Sequence, residues 1–455
     1  MDQNETYFDY MTPSQDHYGS GCDGNEVYSE PTSGKVTSPR PNPRKERGSG
    51  HGLFLIGMFT GIFMALLVVG IAYLGIGMQA AMERQDQPVL KEGSVVDERL
   101  VSKLQLLEDY IDKYYYLDEV GNAELQTGIY KGMMDALGDP YSVYYSAEEL
   151  EAFMQQTEGT YYGIGAYMSL DAATGLPLVT GVIPGAPAES ADIRPNDLVY
   201  EVDGVSLYGM SLDAAVALIK GPEGTSVTLT LVRESEDDFL EITLNRAKVE
   251  TPTVTLTMFE NDMAYIEIQE FDDVTVDQFA EALAEAKGSG MKGLIIDLRG
   301  NPGGSLKAVT DICKMILPEG MIVYTEDKSG NRDEYKCDGK RELKVPLVVL
   351  TDGNSASAAE IMAGAIKDHG IGTLVGTTTF GKGIVQQVVP FRDGSAIKIT
   401  ISAYYTPSGN NIHGIGIEPD VECPFDSETY YGSEDHPDNQ LEKAKEVLTE
   451  LMKGK

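Results

Sequence analysis

Residues 345–367 read VPLVVLTDGNSASAAEIMAGAIK, and this stretch decides the fold. Residues 345–350 are a continuous apolar run, which is typical of a buried strand, and residues 357–367 have the length and composition of a helix. A loop of small and polar residues joins them. The order of strand, loop and helix predicts one unit of an α/β sheet, with Ser357 at the amino-terminal end of its helix.

Similar units lie on both sides of this stretch, between residues 249 and 426. The predicted elements are strands at 264–269 and 293–298, helices at 276–287 and 306–317, and a β-rich stretch at 384–405. Repeated βα units of this kind predict an α/β core whose helices cover the sheet. Residues 427–455 form a tail, and apolar spacing within it predicts a short amphipathic helix.

Residues 160–248 instead show short β runs separated by Gly, Pro and Asp, with one predicted helix at 212–219. This order of elements, together with the sequence Tyr162-Gly163-Ile164-Gly165-Ala166, resembles a PDZ domain. Successive backbone N–H groups of such a turn can wrap a carboxylate, and the neighbouring strand edge can accept an extended peptide. The resemblance implies that the C-terminal carboxylate of a polypeptide is bound by Gly163, Ile164, Gly165 and Ala166.

A small helical region is predicted ahead of this unit, at residues 94–159. Its apolar side chains recur at helical spacing over 95–118 and again over 124–137, where Gly138 and Pro140 end the pattern.

A membrane tether is predicted near the amino terminus, within residues 51–80. No charged residue occurs between Gly48 and Met82, and the 26 residues from Leu53 to Met78 are almost continuously apolar. As a helix these residues would extend about 39 Å, which is enough to cross a hydrocarbon core of about 30 Å. We therefore expect one transmembrane helix.

The charges that flank this apolar segment predict its orientation. Arg40, Arg44, Lys45 and Arg47 lie just before it, whereas the charges that follow it are mixed in sign. The positive-inside rule then places the amino terminus in the cytoplasm and everything after Met82 outside. We expect a single-pass protein of the cell membrane, with residues 1–50 forming a disordered cytoplasmic tail because they lack an apolar period.

Composition argues against several classes of function. The 455 residues include 72 acidic and 35 basic side chains, a formal net charge of −37, and nucleic-acid binding needs an excess of Lys and Arg. The four cysteines are too scattered for a disulfide framework or a cysteine zinc site, although pairing among Cys313, Cys337 and Cys423 stays open. With five histidines and no HExxH motif, we expect no metal and no other cofactor.

Two loops and a lysine contain the side chains suited to chemistry. Residues 297–305, DLRGNPGGS, lead from a predicted strand into a helix, and their glycine pair lets the backbone approach a ligand closely. Ser357 is either an ordinary helix N-cap or a nucleophile, and the small residues packed around it favour the nucleophile. Lys382, between Gly381 and Gly383, is either a solvated cation or a partly buried amine whose pKa falls as the charged form loses hydration.

Residues 376–382 also come close to the Walker A pattern of nucleotide hydrolases. Gly383 stands where Ser or Thr would bind Mg²⁺, and predicted β-structure follows where that motif requires a helix. A phosphate-binding loop is therefore a disfavoured alternative.

Taken together, these motifs resemble the C-terminal processing peptidases, also called tail-specific proteases, which are Ser/Lys hydrolases with an inserted PDZ domain. The resemblance covers nearly the whole region after the apolar segment, with Ala359 where many members have a second serine. Its motifs are Gly138-Asp139-Pro140-Tyr141-Ser142, residues 298–304, Ser355-Ala356-Ser357-Ala358, Phe380-Gly381-Lys382-Gly383, Gln386, and residues 405–409 and 416–420. It implies a crotonase/ClpP-like α/β peptidase core with an inserted PDZ-like β domain, an N-terminal helical region and one transmembrane helix.

The same resemblance implies the roles of the site residues. Ser357 would be the nucleophile, Lys382 the general base and Gln386 the residue that orients the amine. A neutral lysine within hydrogen-bond reach can accept the proton of a serine without a histidine. The N–H donors of the oxyanion hole would be Ala358 and either Gly303 or Gly304.

One distance limits this assignment. If residues 382–386 formed one extended strand, about 13 Å would separate the backbones of Lys382 and Gln386. Direct contact between the two side chains therefore requires a bend in the chain.

The implied function is that of a membrane-anchored serine endopeptidase that recognises protein C-termini through its PDZ domain and forms an acyl-enzyme. Its partners would be polypeptides with accessible C-termini, and its terminal helices suggest a homodimer. A membrane-tethered scaffold that only binds peptides is the alternative. The presence of both Ser357 and Lys382 argues against that alternative, because a scaffold needs neither.

Overall fold

A computed structural model of the protein describes residues 93–454. These residues belong to two compact units, 93–120 and 121–454. The predicted cytoplasmic tail and the predicted transmembrane segment lie outside the described residues. Among residues 93–454, no helix is both long enough and apolar enough to cross a membrane.

The smaller unit contains helix α1 (Glu98–Tyr114), which confirms the helix predicted at 95–118. Asp97 caps its amino-terminal end by accepting a hydrogen bond from the Leu100 N–H, 2.8 Å away. Such a cap satisfies one of the backbone donors that the first turn of a helix leaves unpaired.

The larger unit is mixed α/β. Its helices are α2 (Asn122–Asp135), α3 (Ala147–Glu158), α4 (Pro187–Ser190), α5 (Leu212–Ile219), α6 (Thr275–Gly288), α7 (Leu306–Cys313), α8 (Ala358–His369), α9 (Ser427–Gly432) and α10 (Asn439–Lys453). Its strands are β1 (Val143–Tyr145), β2 (Thr160–Gly163), β3 (Ala166–Leu170), β4 (Pro177–Val182), β5 (Leu198–Val202), β6 (Val205–Ser206), β7 (Ser226–Val232), β8 (Leu240–Asn245), β9 (Ala247–Glu250), β10 (Val254–Phe259), β11 (Met263–Ile268), β12 (Gly293–Asp297), β13 (Glu319–Asp327), β14 (Arg332–Asp338), β15 (Leu347–Thr351), β16 (Gly372–Gly376), β17 (Ile384–Pro390), β18 (Ala396–Tyr405) and β19 (Val421–Glu422).

The central sheet has the strand order β10-β11-β12-β15-β16-β19. From β11 onward its neighbours are parallel, and every residue of β12 and β15 is buried. Parallel strands that are covered on both faces have continuous apolar sequences, which is why β12 and β15 could be predicted from the sequence.

The two faces of this sheet are covered by different helices. Alternate residues such as Ile266 and Leu294 pack with α6, α7 and α8. The intervening residues, such as Ile295 and Val348, pack with Ala444 of α10. The tail helix predicted from the sequence is thus confirmed, and it packs on the core of its own chain.

A second sheet packs beside the first and has the order β1-β18-β13-β14, with β17 also paired to β18. Its β13–β14 hairpin was not predicted, because most β14 side chains are polar and exposed. The helix predicted at 306–317 is confirmed at its start but is wrong over its last four residues, since α7 ends at Cys313. The chain continues there in turns, and the Ile316 carbonyl accepts a hydrogen bond from Leu343.

Residues 160–250 form an inserted β unit. Its main sheet has the order β3-β4-β5-β7-β8, with β6 paired to β5 and β3 at an open edge. The helix predicted at 212–219 is confirmed as α5. The two ends of the insertion pair with each other as an antiparallel ribbon, β2 with β9, in which Thr160 lies opposite Glu250.

Candidate active site

Ser357 lies where the loop after β15 enters α8. Its side chain is buried, and its backbone adopts φ 54° and ψ −112°. A serine rarely adopts positive φ, and such strain persists only where the surrounding structure enforces it. Ser357 is the N-cap of α8, and its positive φ differs from the extended backbone that is usual at this position.

Hydrogen bonds join the serine loop to the glycine loop after β12. Ser355 Oγ donates to the Leu298 carbonyl at 2.7 Å, and the Ala356 N–H donates to the Asn301 carbonyl at 2.9 Å. Because both loops leave the same end of neighbouring parallel strands, they meet above the sheet. The glycine pair is thereby held against Ser357.

Both glycines of the pair need their lack of a side chain. Gly303 has φ 111°, and a Cβ atom there would lie 2.6 Å from Ser357 Cβ and 3.0 Å from the Ala358 nitrogen. Gly304 has φ 129°, and its Cβ would lie 2.4 Å from the Phe271 carbonyl oxygen. A side chain on Gly303 would push the two loops apart, and a side chain on Gly304 would push the glycine loop away from Phe271.

The backbone N–H groups of this pair differ in what they do. The Gly303 N–H donates to Asn301 Oδ1 at 2.8 Å. Within residues 93–454, the N–H groups of Gly304 and Ala358 have no hydrogen-bond acceptor. Of the two glycines that the sequence left open, Gly304 therefore has the available donor.

Glu360, in the first turn of α8, joins the backbone of Ser357 to that of Lys382 by hydrogen bonds. Its Oε2 accepts from the Ser357 N–H at 2.9 Å and from the Lys382 N–H at 2.8 Å. Its Oε1 accepts from Thr379 Oγ1 at 2.6 Å and from the Gly381 N–H at 2.7 Å. Burial raises the pKa of Glu360 above its ordinary value, and these four hydrogen bonds oppose that rise.

Sequence reasoning gave Glu360 no role, although a signal was present. Ser357 and Glu360 have the Ser-x-x-Glu spacing of a capping box, in which the glutamate reaches back to the N-cap N–H.

Lys382 is 2% exposed, so its interpretation as a solvated cation is wrong. Its Nζ lies 4.9 Å from the ring centroid of Tyr141. The hydroxyl of Tyr404, another buried residue that sequence reasoning missed, lies between two carbonyl oxygens and can donate to either. These carbonyls belong to Ser357, 3.1 Å away, and to Lys382.

Gln386 is fully buried on β17, and its Nε2 donates to Thr400 Oγ1 at 3.0 Å. Lys382 lies outside that strand, because β17 begins only at Ile384. The separation of about 13 Å, which assumed one extended strand over residues 382–386, therefore does not apply.

The segment after α2 lies close to Gln386 and Lys382. Asp139 Oδ2 accepts from Ser142 Oγ at 2.6 Å and from Thr400 Oγ1 at 2.6 Å. Burial alone would raise the pKa of Asp139, but hydrogen bonds from Ser142, Thr400 and the Tyr141 N–H, with the charge of Lys382, hold it below its ordinary value. Sequence reasoning quoted this motif without placing it at the site.

Two other sequence interpretations concern bound groups. A strand, not a helix, follows Lys382, which removes the structural basis of a phosphate-binding loop. Among residues 93–454, no cluster of three or more His, Cys, Asp or Glu side chains could hold a metal ion.

The cysteine pairing left open by the sequence is not formed, since Cys313, Cys337 and Cys423 are all free thiols.

The glycine-rich turn of the inserted unit joins β2 to β3. Gly165 has φ 77°, and a Cβ there would lie 2.2 Å from Ala186 Cβ. The Ile164 carbonyl accepts from the Ala188 N–H at 2.7 Å, and the Gly165 carbonyl accepts from the Ile183 N–H at 2.9 Å. The turn from Gly163 to Ala166 is thus fixed beside the open edge of β3.

Comparison with known proteins finds three matching family models. Residues 262–423 match peptidase family S41, residues 178–233 match a PDZ domain, and residues 65–149 match the N-terminal domain of the activating protease CtpB. The carboxy-terminal processing protease CtpB of Bacillus subtilis (strain 168) is 36% identical over 323 residues, covering 69% of this chain and 67% of the relative. The chain belongs to the S41 family of carboxy-terminal processing proteases.

Other relatives of this S41 peptidase are similar over more of their length. The carboxyl-terminal-processing protease of Synechocystis sp. (strain ATCC 27184 / PCC 6803 / Kazusa) is 32% identical over 380 residues, covering 81% of this chain and 88% of the relative. A solved structure, the photosystem II D1 C-terminal processing protease, is 32% identical with a TM-score of 0.42, covering 70% of this chain and 86% of that one. The family resemblance predicted from the motifs is confirmed, and the protein is a serine-type protease with a PDZ domain.

Proposed function

We propose that this S41 peptidase is an endopeptidase that cleaves peptide bonds with Ser357 as nucleophile and Lys382 as general base. The supporting observation is the Glu360 carboxylate, which accepts hydrogen bonds from the backbone N–H groups of both residues. One rigid group thus determines the relative position of the two chain segments. Burial of Lys382 supports the base role, because desolvation favours the neutral amine over the ammonium ion.

The proposed reaction is acyl transfer in two stages. Ser357 Oγ attacks the scissile carbonyl carbon while neutral Lys382 Nζ takes the hydroxyl proton. The resulting ammonium group gives a proton to the leaving amine as the C–N bond breaks. Water then attacks the acyl-enzyme while Lys382 takes a proton from it. The ester C–O bond to Ser357 breaks as Lys382 returns that proton to Ser357 Oγ, which releases the acid product and restores both residues.

The oxyanion formed at each stage needs two N–H donors. We assign them to Ala358 and Gly304, because the Gly303 N–H is already engaged by Asn301 Oδ1. Gly303 would instead provide the close approach between the glycine loop and Ser357.

The test compares cleavage of an unfolded substrate protein by full-length wild type, Ser357→Ala and Lys382→Ala, with circular dichroism as the check of folding. We expect both variants to fold and to lose cleavage. Retention of full activity by either folded variant would overturn the assignment.

We also propose that the PDZ unit captures the C-terminus of the substrate. The glycine-rich turn Gly163-Ile164-Gly165-Ala166 and the open edge of β3 support a β-augmentation mode, in which the turn holds the carboxylate. Lys220 adds a positive charge near this turn, since its Nζ lies 5.2 Å from the ring centroid of Tyr161 on β2. Fluorescence anisotropy should show a labelled peptide with a free carboxylate binding more tightly than its C-terminal amide, and equal affinities would contradict the proposal.

We further propose that residues 51–80 anchor the enzyme in the cell membrane with the amino terminus in the cytoplasm. The uncharged stretch from Gly48 to Met82 and the basic residues before it support this orientation. The protein should stay in the membrane fraction after alkaline extraction. Protease added to intact cells from which any cell wall or outer membrane has been removed should digest the region after Met82. Protection of that region would show the opposite orientation and contradict the proposal.

A homodimer is the remaining proposal, and apolar side chains exposed on α1 support it. They include Val101, Leu106, Leu107, Tyr110 and Tyr114. Light scattering of the detergent-solubilised protein should give twice the mass of one chain after subtraction of detergent, and a single-chain mass would contradict the proposal.

A further inference from the structure

A hydrogen-bonded chain connects Gln386 to a carboxylate far away in the sequence. Gln386 Nε2 donates to Thr400 Oγ1 at 3.0 Å, and Thr400 Oγ1 donates to Asp139 Oδ2 at 2.6 Å. Asp139 and Thr400 are 261 positions apart, and β1 brings them together by pairing with β18. The chain therefore links the helical region to the peptidase core.

The register of the sheet places Gln386 directly opposite Thr400. Val385 pairs with Ser402 and Gln386 pairs with Thr400, so a β-bulge shifts the register between these two pairs. Thr400 is held from a second side, because its N–H donates to Ser142 Oγ at 3.0 Å. Its hydroxyl is thus fixed between the amide and the carboxylate.

The direction of each hydrogen bond follows from the donors available. An ionised carboxylate only accepts, so the single hydroxyl proton of Thr400 must point to Asp139. The lone pairs of Thr400 Oγ1 then face Gln386, and only the NH₂ end of the amide can donate to them. The amide oxygen of Gln386 must consequently point away from Thr400.

That oxygen, Gln386 Oε1, is buried and accepts no hydrogen bond from any residue between 93 and 454. A buried acceptor without a donor costs about 1–3 kcal/mol, so its retention suggests that a donor reaches it during the reaction. Lys382 can supply that donor. Its Nζ lies 4.9 Å from the Tyr141 ring centroid, and its charge acts on Asp139. Lys382 Nζ is therefore close to residues 139–142, the same segment that holds Thr400.

We propose that Asp139 and Thr400 are positioning residues that fix the Gln386 amide with its oxygen toward Lys382. This inference rests on the proposed Ser/Lys mechanism. One N–H of Lys382 would be held by Gln386 Oε1 throughout the reaction. The lone pair of the neutral amine would then point at the Ser357 hydroxyl, whose proton it takes as the bond from Ser357 Oγ to the substrate carbon forms.

The pH dependence of cleavage reports on this arrangement. The groups that face Lys382 are Asp139 and Tyr141 from the segment after α2, Glu360 from α8, and His413, whose Nδ1 accepts from the Gly383 N–H. An amide oxygen binds the ammonium form more strongly than the amine. Releasing Gln386 from Thr400 should therefore move the rising limb of kcat/KM to lower pH, by about 0.5–1.

The experiment uses the full-length enzyme, a fluorogenic peptide and the variants Thr400→Val and Thr400→Ser. Thr400→Val should lower kcat about 10–100-fold with KM unchanged, a loss typical of disturbed proton transfer. Thr400→Ser keeps the hydroxyl and should recover activity to within about threefold of wild type. Thr449→Val, the same change on α10, is the matched control and should retain wild-type kinetics and pH profile.

A double-mutant cycle tests whether Thr400 acts through Gln386. The variant with both Gln386→Ala and Thr400→Val should be no slower than Gln386→Ala alone. If the double variant loses kcat by the product of the two single losses, the proposal is overturned. It is also overturned if the rising limb of kcat/KM against pH is not shifted in Thr400→Val. If Thr400→Val does not fold, Asp139→Asn applies the same test, because an asparagine can donate to Thr400 and no longer dictates the direction of its proton.

Failure of this proposal is distinguishable from failure of the proposed function. If folded Ser357→Ala or Lys382→Ala still cleaves, the Ser/Lys mechanism itself is wrong. If both abolish cleavage while Thr400→Val has wild-type kcat, only the positioning role is wrong.

Discussion

Two lysines are buried among residues 93–454, Lys382 and Lys398, and each lies over an aromatic ring from the region before the PDZ unit. Lys382 Nζ is 4.9 Å from the Tyr141 ring centroid, and Lys398 Nζ is 4.9 Å from that of Phe153. Both side chains are almost completely withdrawn from solvent, at 2% and 0% exposure. Burial and cation–π contact are therefore shared by the two sites.

The surroundings separate the two lysines. Lys382 lies in a loop whose N–H is held by Glu360, the same carboxylate that holds the Ser357 N–H. Lys398 is the third residue of β18 and pairs with Val143 of β1, and a second ring, Tyr145, lies 5.6 Å from its Nζ. Burial alone therefore does not distinguish the proposed base from the other buried lysine, whereas attachment to the loop of the proposed nucleophile does.

The largest expected effect comes from replacing each lysine by the neutral, unbranched methionine. Lys382→Met should lower kcat/KM about 10³-fold or more, because the hydroxyl of Ser357 would lose its proposed base. Lys398→Met should stay within about threefold of wild type, since a buried charge replaced by an apolar side chain often leaves a fold intact. Steady-state cleavage of a fluorogenic peptide measures both, and similar losses in the two variants would remove the distinction between the lysines.

The next effect concerns the two capping-box glutamates, Glu360 at the start of α8 and Glu149 at the start of α3. Glu360→Gln should lower kcat about 10–100-fold and destabilise the fold by about 2–4 kcal/mol, because an NH₂ group would face backbone donors in a buried site. Glu149, which accepts from the Ser146 N–H at the start of α3, is the matched control. Glu149→Gln should cost about 1 kcal/mol or less and leave kcat unchanged. Urea unfolding and peptide kinetics test the pair, and equal kcat losses would contradict the special role of Glu360.

Replacing the aromatic ring that contacts each lysine should affect activity at Lys382 and stability at Lys398. Tyr141→Leu should reduce kcat about 3–10-fold, because Lys382 loses a contact that places its amine. Phe153→Leu should lower stability by about 1–2 kcal/mol without a comparable change in kcat. Kinetics and thermal unfolding of the two variants measure the contrast. A larger kcat loss in Phe153→Leu than in Tyr141→Leu would reverse it.

The smallest effect is a change in stability with pH around Lys382. The pKa of Asp139 is lower in the folded protein than its ordinary value, so ionised Asp139 favours folding. That contribution is present above the unfolded-state pKa and disappears as the pH falls through the folded-state pKa. Asp139→Asn should therefore lower Tm by about 1–2 °C at pH 7, and the difference should shrink as the pH falls below the ordinary pKa of an aspartate. A difference that grows toward acid pH would have the wrong sign.

Local pattern was sufficient to predict part of this molecule. The apolar runs of β12 and β15 gave the parallel core, and α5 has the predicted bounds. The exchange of hydrogen bonds at Glu360 was also within reach, because the capping box has a local sequence signature. Features that depend on neighbouring residues in the chain are therefore visible in the sequence.

The remaining features depend on pairing between distant segments. Asp139 meets Thr400 only because β1 joins β18, and Gln386 faces Thr400 only because a β-bulge shifts the register. The mainly polar, exposed residues of β14 carry no apolar pattern, so the hairpin with β13 was missed. Such contacts are fixed by tertiary structure, and no periodicity within one segment reports them.

The ribbon of β2 and β9 has a consequence for how this protease could diversify. Since Thr160 and Glu250 are opposite one another, the chain leaves the catalytic body and returns to it at a single point. The residues between β2 and β9 can therefore be exchanged as one unit. A different peptide-binding domain in their place would leave the positions at which the peptidase core joins the insertion unchanged. Exchange of residues 160–250 between homologous enzymes should thus transfer preference for a peptide tail while the chemistry stays in place.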